Sequence, residues 1–444
     1  MKNTSVKNVV LASILATFVV GCGGGSSDSN GGTTPPIPTP TPAKIFGTVD
    51  SISPTNQTIT VNGRTLATAS SMVTYQQDTL TIDAITKGMQ VEILTANNNA
   101  KAIALDPAIT GTVSAIDKDT ITVNGVQFIS PQSQLKSDIT IGTWVMISAK
   151  LQSDGSWLAS SITSPVGITT QESEIEGRVS RLDAIAHQFN IGSVIVNYNN
   201  AEFDLEGHQL ANGQWVEVDG RYDSQARTLF AEEVDIENEM DFNDAEIEGV
   251  ITWVNTEQTH FEIDSRTRIL ITPTTQFEDG NKADLKTGRV ISVDLISKGM
   301  GLEATEIEFE DATGTTPQPV VREFSVEGKA LVTDGVFTIN GNEFTLDAGT
   351  YYDNGLTTAT LNNAWVDVEG IEVKATTVTP AHWLVKEIEP EVKQNNISLE
   401  GPVSSNSLWG YSSSDNTLAQ FNGKWVEVEC TLNDDDLLNC RLDN

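Results

Sequence analysis

The side chains of this sequence that could do chemistry are three cysteines, four histidines and a large excess of carboxylates over bases. Cys22 follows an apolar run, whereas Cys430 and Cys440 sit close together in WVEVECTLNDDDLLNCRL. Two alternating segments there flank an Asn/Asp-rich turn, which is the pattern of a β-hairpin, so a cross-strand disulfide is geometrically open to the pair. Two free thiols, one of them buried, are the competing reading. His187, His208, His260 and His382 fall singly, without metal-ligand spacing, and are expected on the surface or in turns. No nucleophile elbow, phosphate loop or dinucleotide fingerprint is present. The expectation is a non-enzyme without catalytic residues, cofactor or resident metal.

The carboxylates are plentiful but diffuse. The 61 acidic residues against 26 basic ones give a formal charge of -35. Such a field repels phosphate backbones, which excludes nucleic acid as an expected partner, and it favours solubility. The densest run is EEVDIENEMDFNDAEIEG, Glu232 to Gly249. Asp241, Asn243 and Asp244 could lend oxygens to a calcium ion there, but a complete EF-hand rhythm is missing and a solvated acidic linker is the competing reading.

At the N-terminus Lys2 and Lys7 precede the apolar run Val9 to Val20. The run is shorter than the roughly 18 residues a spanning helix needs, so a secretory signal is expected. The stretch FVVGC, with Gly21 before Cys22 and Val19 three before it, resembles the lipobox of bacterial lipoproteins. That resemblance implies diacylglycerol on the Cys22 thiol, cleavage before it and acylation of the new amino group. Gly23 stands where aspartate would retain the protein at the inner membrane, so the implied location is the outer membrane. Several acyl chains on one residue make a stable anchor, at about 0.8 kcal/mol per buried methylene. Gly23 to Ala43, rich in Gly and Ser and then in Pro and Thr, is expected to be a disordered, partly polyproline spacer.

What must position any site is a repeated unit. A glycine inside an alternating strand recurs at Gly47, Gly111, Gly177, Gly249, Gly328 and Gly401. Later in each unit a second signature returns, as in NGQWVEVDG, NAWVDVEG and GKWVEVEC, with Trp144, Trp215, Trp365 and Trp425 at one shared place. A further strand closes most units. Between the signatures lies a hairpin whose Asn-Gly turn, at Asn62-Gly63, Asn124-Gly125 and Asn340-Gly341, accepts positive φ at both central positions. Period-two alternation dominates and no helical period is sustained.

Five short strands in about 65 residues must close on themselves to protect their edges, which favours a small OB-like barrel. The predicted architecture is all-β, a tandem array of about six five-stranded barrels after the disordered linker. The divisions are a signal at 1–21, a linker at 22–43, and units at 44–106, 107–166, 171–238, 244–311, 322–391 and a shortened 395–444. The repeated tryptophan is expected inside the barrel or at its mouth, as core rather than as a ligand platform.

The unit resembles the bacterial repeat family DUF5666, with its initial G-x-V, middle tVnG and a G-x-x-V-x-V-x-G … G-x-x-x-A-x-x-I ending. Gln214 to Gly220 with Ala231 and Val234 carries that ending most fully, whereas unit four has Arg289-Val290 and unit six is cut short in its middle. The family brings no activity with it. A non-catalytic envelope lipoprotein, binding a cell-envelope protein or a glycan through many weak contacts, is the expected function. An envelope enzyme or a divalent-metal-handling module, with its site at a barrel mouth or a domain joint, is the alternative.

Overall fold

The computed structural model describes residues 44–443 apart from 131–137, 152–155, 170, 205–208, 237–241, 299–300, 310–321, 334, 348, 354, 358 and 376–379. The signal at 1–21, the linker at 22–43, Cys22, His208 and Asp241 lie outside the described residues. Within them the regular structure is strand, broken by short 3-10 turns such as Ile82–Ala84 and Lys282–Asp284. No helix among them is long and apolar enough to cross a membrane.

Each unit closes into a small five-stranded barrel, and unit one shows how. Its first strand, Lys44–Ser53, has a register shift between Val49 and Ser51 that bends it. One half therefore pairs with Gln90–Ala96 (Lys44 opposite Leu94) and the other with the hairpin strand Thr58–Val61 (Ile52 opposite Ile59). Asn62 and Gly63, at φ 50° and 70°, turn that hairpin as the Asn-Gly pair predicts. The strand Asn99–Leu105 then pairs antiparallel with Gln90–Ala96 and parallel with Met72–Tyr75, and its Asn99 meets Ala67 of the hairpin strand Arg64–Ala67, which closes the ring. Alternate residues point inward, so Val49, Ile59, Val91, Ile93 and Ile103 fill the barrel at 0–1% exposure.

The repeat glycine is explained by what lies over it. A Cβ on Gly47 would meet the Asn62 side chain at 1.8 Å, and one on Gly249 would meet Ile263 Cγ2 at 1.8 Å. The same close approach of a hairpin side chain recurs over Gly111, Gly177, Gly328 and Gly401. Unit six fits this scheme despite its shortening. Trp409 covers Gly401, and the hairpin shrinks to Ser407–Leu408 and Tyr411–Ser412.

The barrels are joined in pairs through their first strands. Ile109–Ile116 of unit two pairs antiparallel with Ser173–Asp183 of unit three, and Glu323–Thr333 of unit five with Asn396–Pro402 of unit six. Lys44–Ser53 of unit one pairs in parallel with Ala245–Val254 of unit four, skipping two units of sequence. The result is three sheets of 13, 11 and 11 strands. One hydrophobic cluster runs through units two and three, and another through five and six. This pairing uses the half of each first strand that its own barrel leaves as an edge.

The repeated tryptophans correct an expectation. In Trp215–Asp223 the valines Val216 and Val218 point inward, so Trp215, Glu217 and Asp219 share the outer face. Trp144 packs on the core of unit one rather than within its own barrel, and Trp365 and Trp425 lie half-buried against the core shared by units five and six. Period two dictates this: the residue before a buried valine must face out.

Candidate functional site

The chemistry-bearing side chains converge at the joints between units, on these outer faces. The glutamate before the repeat glycine faces out in four units, as Glu176, Glu248, Glu327 and Glu400; in units three, five and six it lies beside a carboxylate of the tryptophan strand, and in unit four beside Ser292. On unit three, ligand oxygens of Glu174, Glu217 and Asp219 all lie within 4.8 Å of one another. Unit one reaches this group: Tyr75 Oη donates to Glu174 Oε2 at 3.0 Å, and Gln76 Nε2 donates to Glu174 Oε2 at 3.0 Å and Asp219 Oδ1 at 2.8 Å.

Unit four is the hub, because its hairpin His260–Ile263/Thr267–Leu270 wedges between units three and five. Arg266 lies over the Trp215 ring at 5.4 Å and 3.9 Å from Glu176. Arg178 of unit three donates to the Ser265 carbonyl and lies 3.8 Å from Glu262. Lys386 of unit five donates to both oxygens of Glu262 at 2.7 Å. Arg268 lies 2.9 Å from Glu387 of unit five and over the Tyr351 ring at 4.2 Å. On the opposite side Arg64 of unit one pairs with Glu246 and Asp294, and Lys150 of unit two pairs with Glu248.

Burial and charge decide how these groups titrate. Burial alone would raise Glu262, but Lys386 and Arg178 outweigh it and hold the carboxylate below its ordinary range. Elsewhere burial wins. It pushes Glu246 up to about 7 against the pull of Arg64, and Asp367 to about 7 and Glu369 to about 8 on unit five. Glu327 and Glu400 rise to about 7 by burial, reinforced by Asp367 and Glu323 respectively.

His260 departs from the surface placement expected of it. It sits at the joint between units four and five, 5.2 Å from the Tyr351 ring, and burial followed by Arg268 lowers it to about 4, so it is neutral at pH 7. His187 is exposed in a turn at φ 53°, and His382 opens the strand His382–Pro390, half-buried.

Cys430 and Cys440 lie at disulfide distance across the final hairpin, with Cα atoms 4.2 Å apart. Asn243 spends its side-chain oxygen on the Ser297 amide at 2.8 Å, and Asp244 turns the chain at φ 57° into the first strand of unit four. Sequence reasoning missed the cations that hold the joints: Arg64, Lys150, Arg266, Arg268 and Lys386. Their one signal was scarcity, since 26 basic residues share a chain with 61 acidic ones.

Among the described residues, hollows lie between units. A cleft of about 500 Å³ between units one and two is lined by Thr79, Thr81, Asp83, Asp138, Thr163 and Ser164. A pocket of about 60 Å³ where units one to four meet is walled by Lys150, Glu176, Trp215, Asp264 and Arg266. Burial raises Asp264 to about 6 there, against Lys150 and the Val250 amide.

No curated protein matches the sequence. Among solved structures, a chain described as drosophila Unr CSD456 matches at 12% identity over 49% of this chain and 97% of that one, with a TM-score of 0.13. The family described as "Domain of unknown function (DUF5666)" matches residues 46–104, 110–163, 176–235, 248–308 and 326–379, one segment in each of the first five units. This fivefold match covers well over half of the chain, and with the barrel repeated unit by unit it makes the protein a member of the DUF5666 family.

Proposed function

We propose that the chain is a non-catalytic, lipid-anchored protein of the outer membrane or cell surface, a scaffold that binds envelope proteins or glycans at several places. The observation that carries this reading is where the strongest charge chemistry sits. The buried pair Glu262–Lys386, the Arg268–Glu387 contact and the Arg64–Glu246 pair all lock one repeat to another, so the ionic groups serve assembly rather than a reacting centre. Perturbed carboxylates at such joints have a structural cause, burial among like charges. Anchoring rests on Cys22 in FVVGC and on the spacer behind it, which would carry the barrels away from the lipid.

The anchor is tested by fractionation: Cys22→Ser moves the protein from membranes to the soluble fraction, and unchanged membrane partitioning overturns it. The scaffold is tested by photo-crosslinking the full chain in native envelopes, with discrete, reproducible adducts expected and none found if the reading is wrong. A second reading has one observation in its favour, the converging oxygens of Glu174, Glu217 and Asp219 at the joint of units one and three, which suit a divalent cation. Calorimetric titration with calcium decides it, since saturable binding that Glu217→Gln removes would establish that site and its absence would dismiss it.

A further inference from the structure

Across the sheet shared by units five and six, one row of outward side chains runs through five neighbouring strands. The register places Glu387 beside Glu369, Glu369 beside Ser325, Ser325 beside Glu400, and Glu400 beside Glu427. Unit four occupies the start of this row: Arg268 of the hub hairpin meets Glu387, and the Thr256 amide donates to Glu369 at 3.2 Å. The rest of the row continues past that contact. Among the described residues no lysine or arginine forms an ion pair with Glu327, Glu400 or Glu427, whereas Glu429 is held by Arg441 at 2.6 Å.

The same outer position is filled elsewhere in the molecule. Glu176, before Gly177, is met by Arg266 of the next unit, and Glu248, before Gly249, by Lys150. Glu327 and Glu400 stand before Gly328 and Gly401 without such a cation. We infer that the face of Ser325, Glu327, Ser398, Glu400 and Glu427 is a docking surface for a partner protein that presents a β-strand with an Arg-x-Arg edge. The inference rests on the scaffold reading above and names the chemistry of its partner.

Charge and spacing support this occupant. Arg266, in the turn just before the strand Thr267–Leu270, and Arg268, within it, already show the pattern, two guanidinium groups two residues apart reaching outer carboxylates of two different units. Residues two apart along a strand are about 7 Å apart and adjacent strands about 4.8 Å apart, so an Arg-x-Arg edge can span neighbouring carboxylates of this face. Trp365 and Trp425 flank it, and cations already lie on both rings, Lys393 at 5.1 Å and Arg322 at 5.3 Å. Burial raises Glu327, aided by Asp367 and Glu391, and raises Glu400, aided by Glu323 and Glu427. An arriving guanidinium stabilises the ionised forms, so binding is expected to strengthen from about pH 6 to about pH 8.

The test is calorimetry on the detergent-solubilised full chain at near-physiological salt, with a synthetic β-hairpin carrying an Arg-Thr-Arg edge and a Gln-Thr-Gln twin. The arginine hairpin should bind at least tenfold tighter than its twin, and Glu400→Gln with Glu427→Gln should remove that difference. The single exposed change Glu427→Gln should weaken binding severalfold in a chain whose melting is not lowered. Glu232→Gln, an exposed carboxylate on unit three, should leave binding unchanged. Equal binding of the two hairpins, or equal weakening by Glu232→Gln, would mark attraction to the general acidic field and overturn the docking face. Envelope adducts that persist in the Glu400→Gln/Glu427→Gln variant would leave the scaffold standing and sink only this face; tight hairpin binding with no adducts at all would do the reverse.

Discussion

At the scale of single residues, Glu262 and Lys386 are the most consequential pair. Both are buried, and the ammonium donates to both carboxylate oxygens at 2.7 Å across the joint of units four and five. Removing one partner strands the other in a dry joint, so Lys386→Met is expected to cost about 3–5 kcal/mol. Thermal unfolding followed by circular dichroism measures this, and a loss within error would show the pair contributes nothing net. The acidic outer faces make a second prediction. Asp367, Glu369, Glu327, Glu400 and Glu246 titrate near 7 or 8 in the folded chain, well above free carboxylates. The folded state therefore keeps protons that the unfolded chain releases. Their contribution is full below the unfolded values and is lost as pH rises through about 7 to 8. Melting temperature should fall between about pH 5.5 and about pH 8.5. Glu262 acts in the opposite sense, its stabilisation fading as pH falls through its depressed value.

At the scale of elements, the repeat glycine and the final hairpin carry the predictions. A methyl group on Gly249 would lie 1.8 Å from Ile263 Cγ2, and that side chain is fixed in the core of unit four. Gly249→Ala should cost about 1–3 kcal/mol by overpacking, with hydrogen exchange quickening first in the strands of unit four and in Lys44–Ser53, which pairs with it. Reducing Cys430–Cys440 should weaken the hairpin Trp425–Asn433/Asp436–Leu442, by about 2–4 kcal/mol on the usual scale for a cross-link. Exchange in units one and four should not change, since neither shares a sheet with that hairpin. Both elements were legible in the sequence: the Asn-Gly turns marked hairpins, and the alternation around Asn433 marked the last one. What alternation could not say was which side of a strand another unit would cover, and so the tryptophans were expected in the wrong place.

At the scale of the whole molecule, the six barrels are one interlocked body rather than beads. Unit four pairs with unit one through backbone hydrogen bonds, meets unit two through Lys150–Glu248, and receives Arg178 of unit three and Lys386 of unit five. A protease site placed at the exposed Val166 between units two and three should therefore cut the chain and leave its halves together on native gels; separation after cleavage would refute the interlocking. The sequence by itself determined the repeat and the barrel within each repeat, because period-two patterning and Asn-Gly turns act over a few residues and need no knowledge of the neighbours. Only the tertiary structure decided that unit one lies beside unit four, that a few scarce cations bind the joints, and that the outer carboxylates of units five and six extend beyond the hub. Those contacts join residues as far apart as Glu262 and Lys386 or Arg64 and Asp294, and strand edges with exposed charges fit many partners equally well until the whole chain has packed.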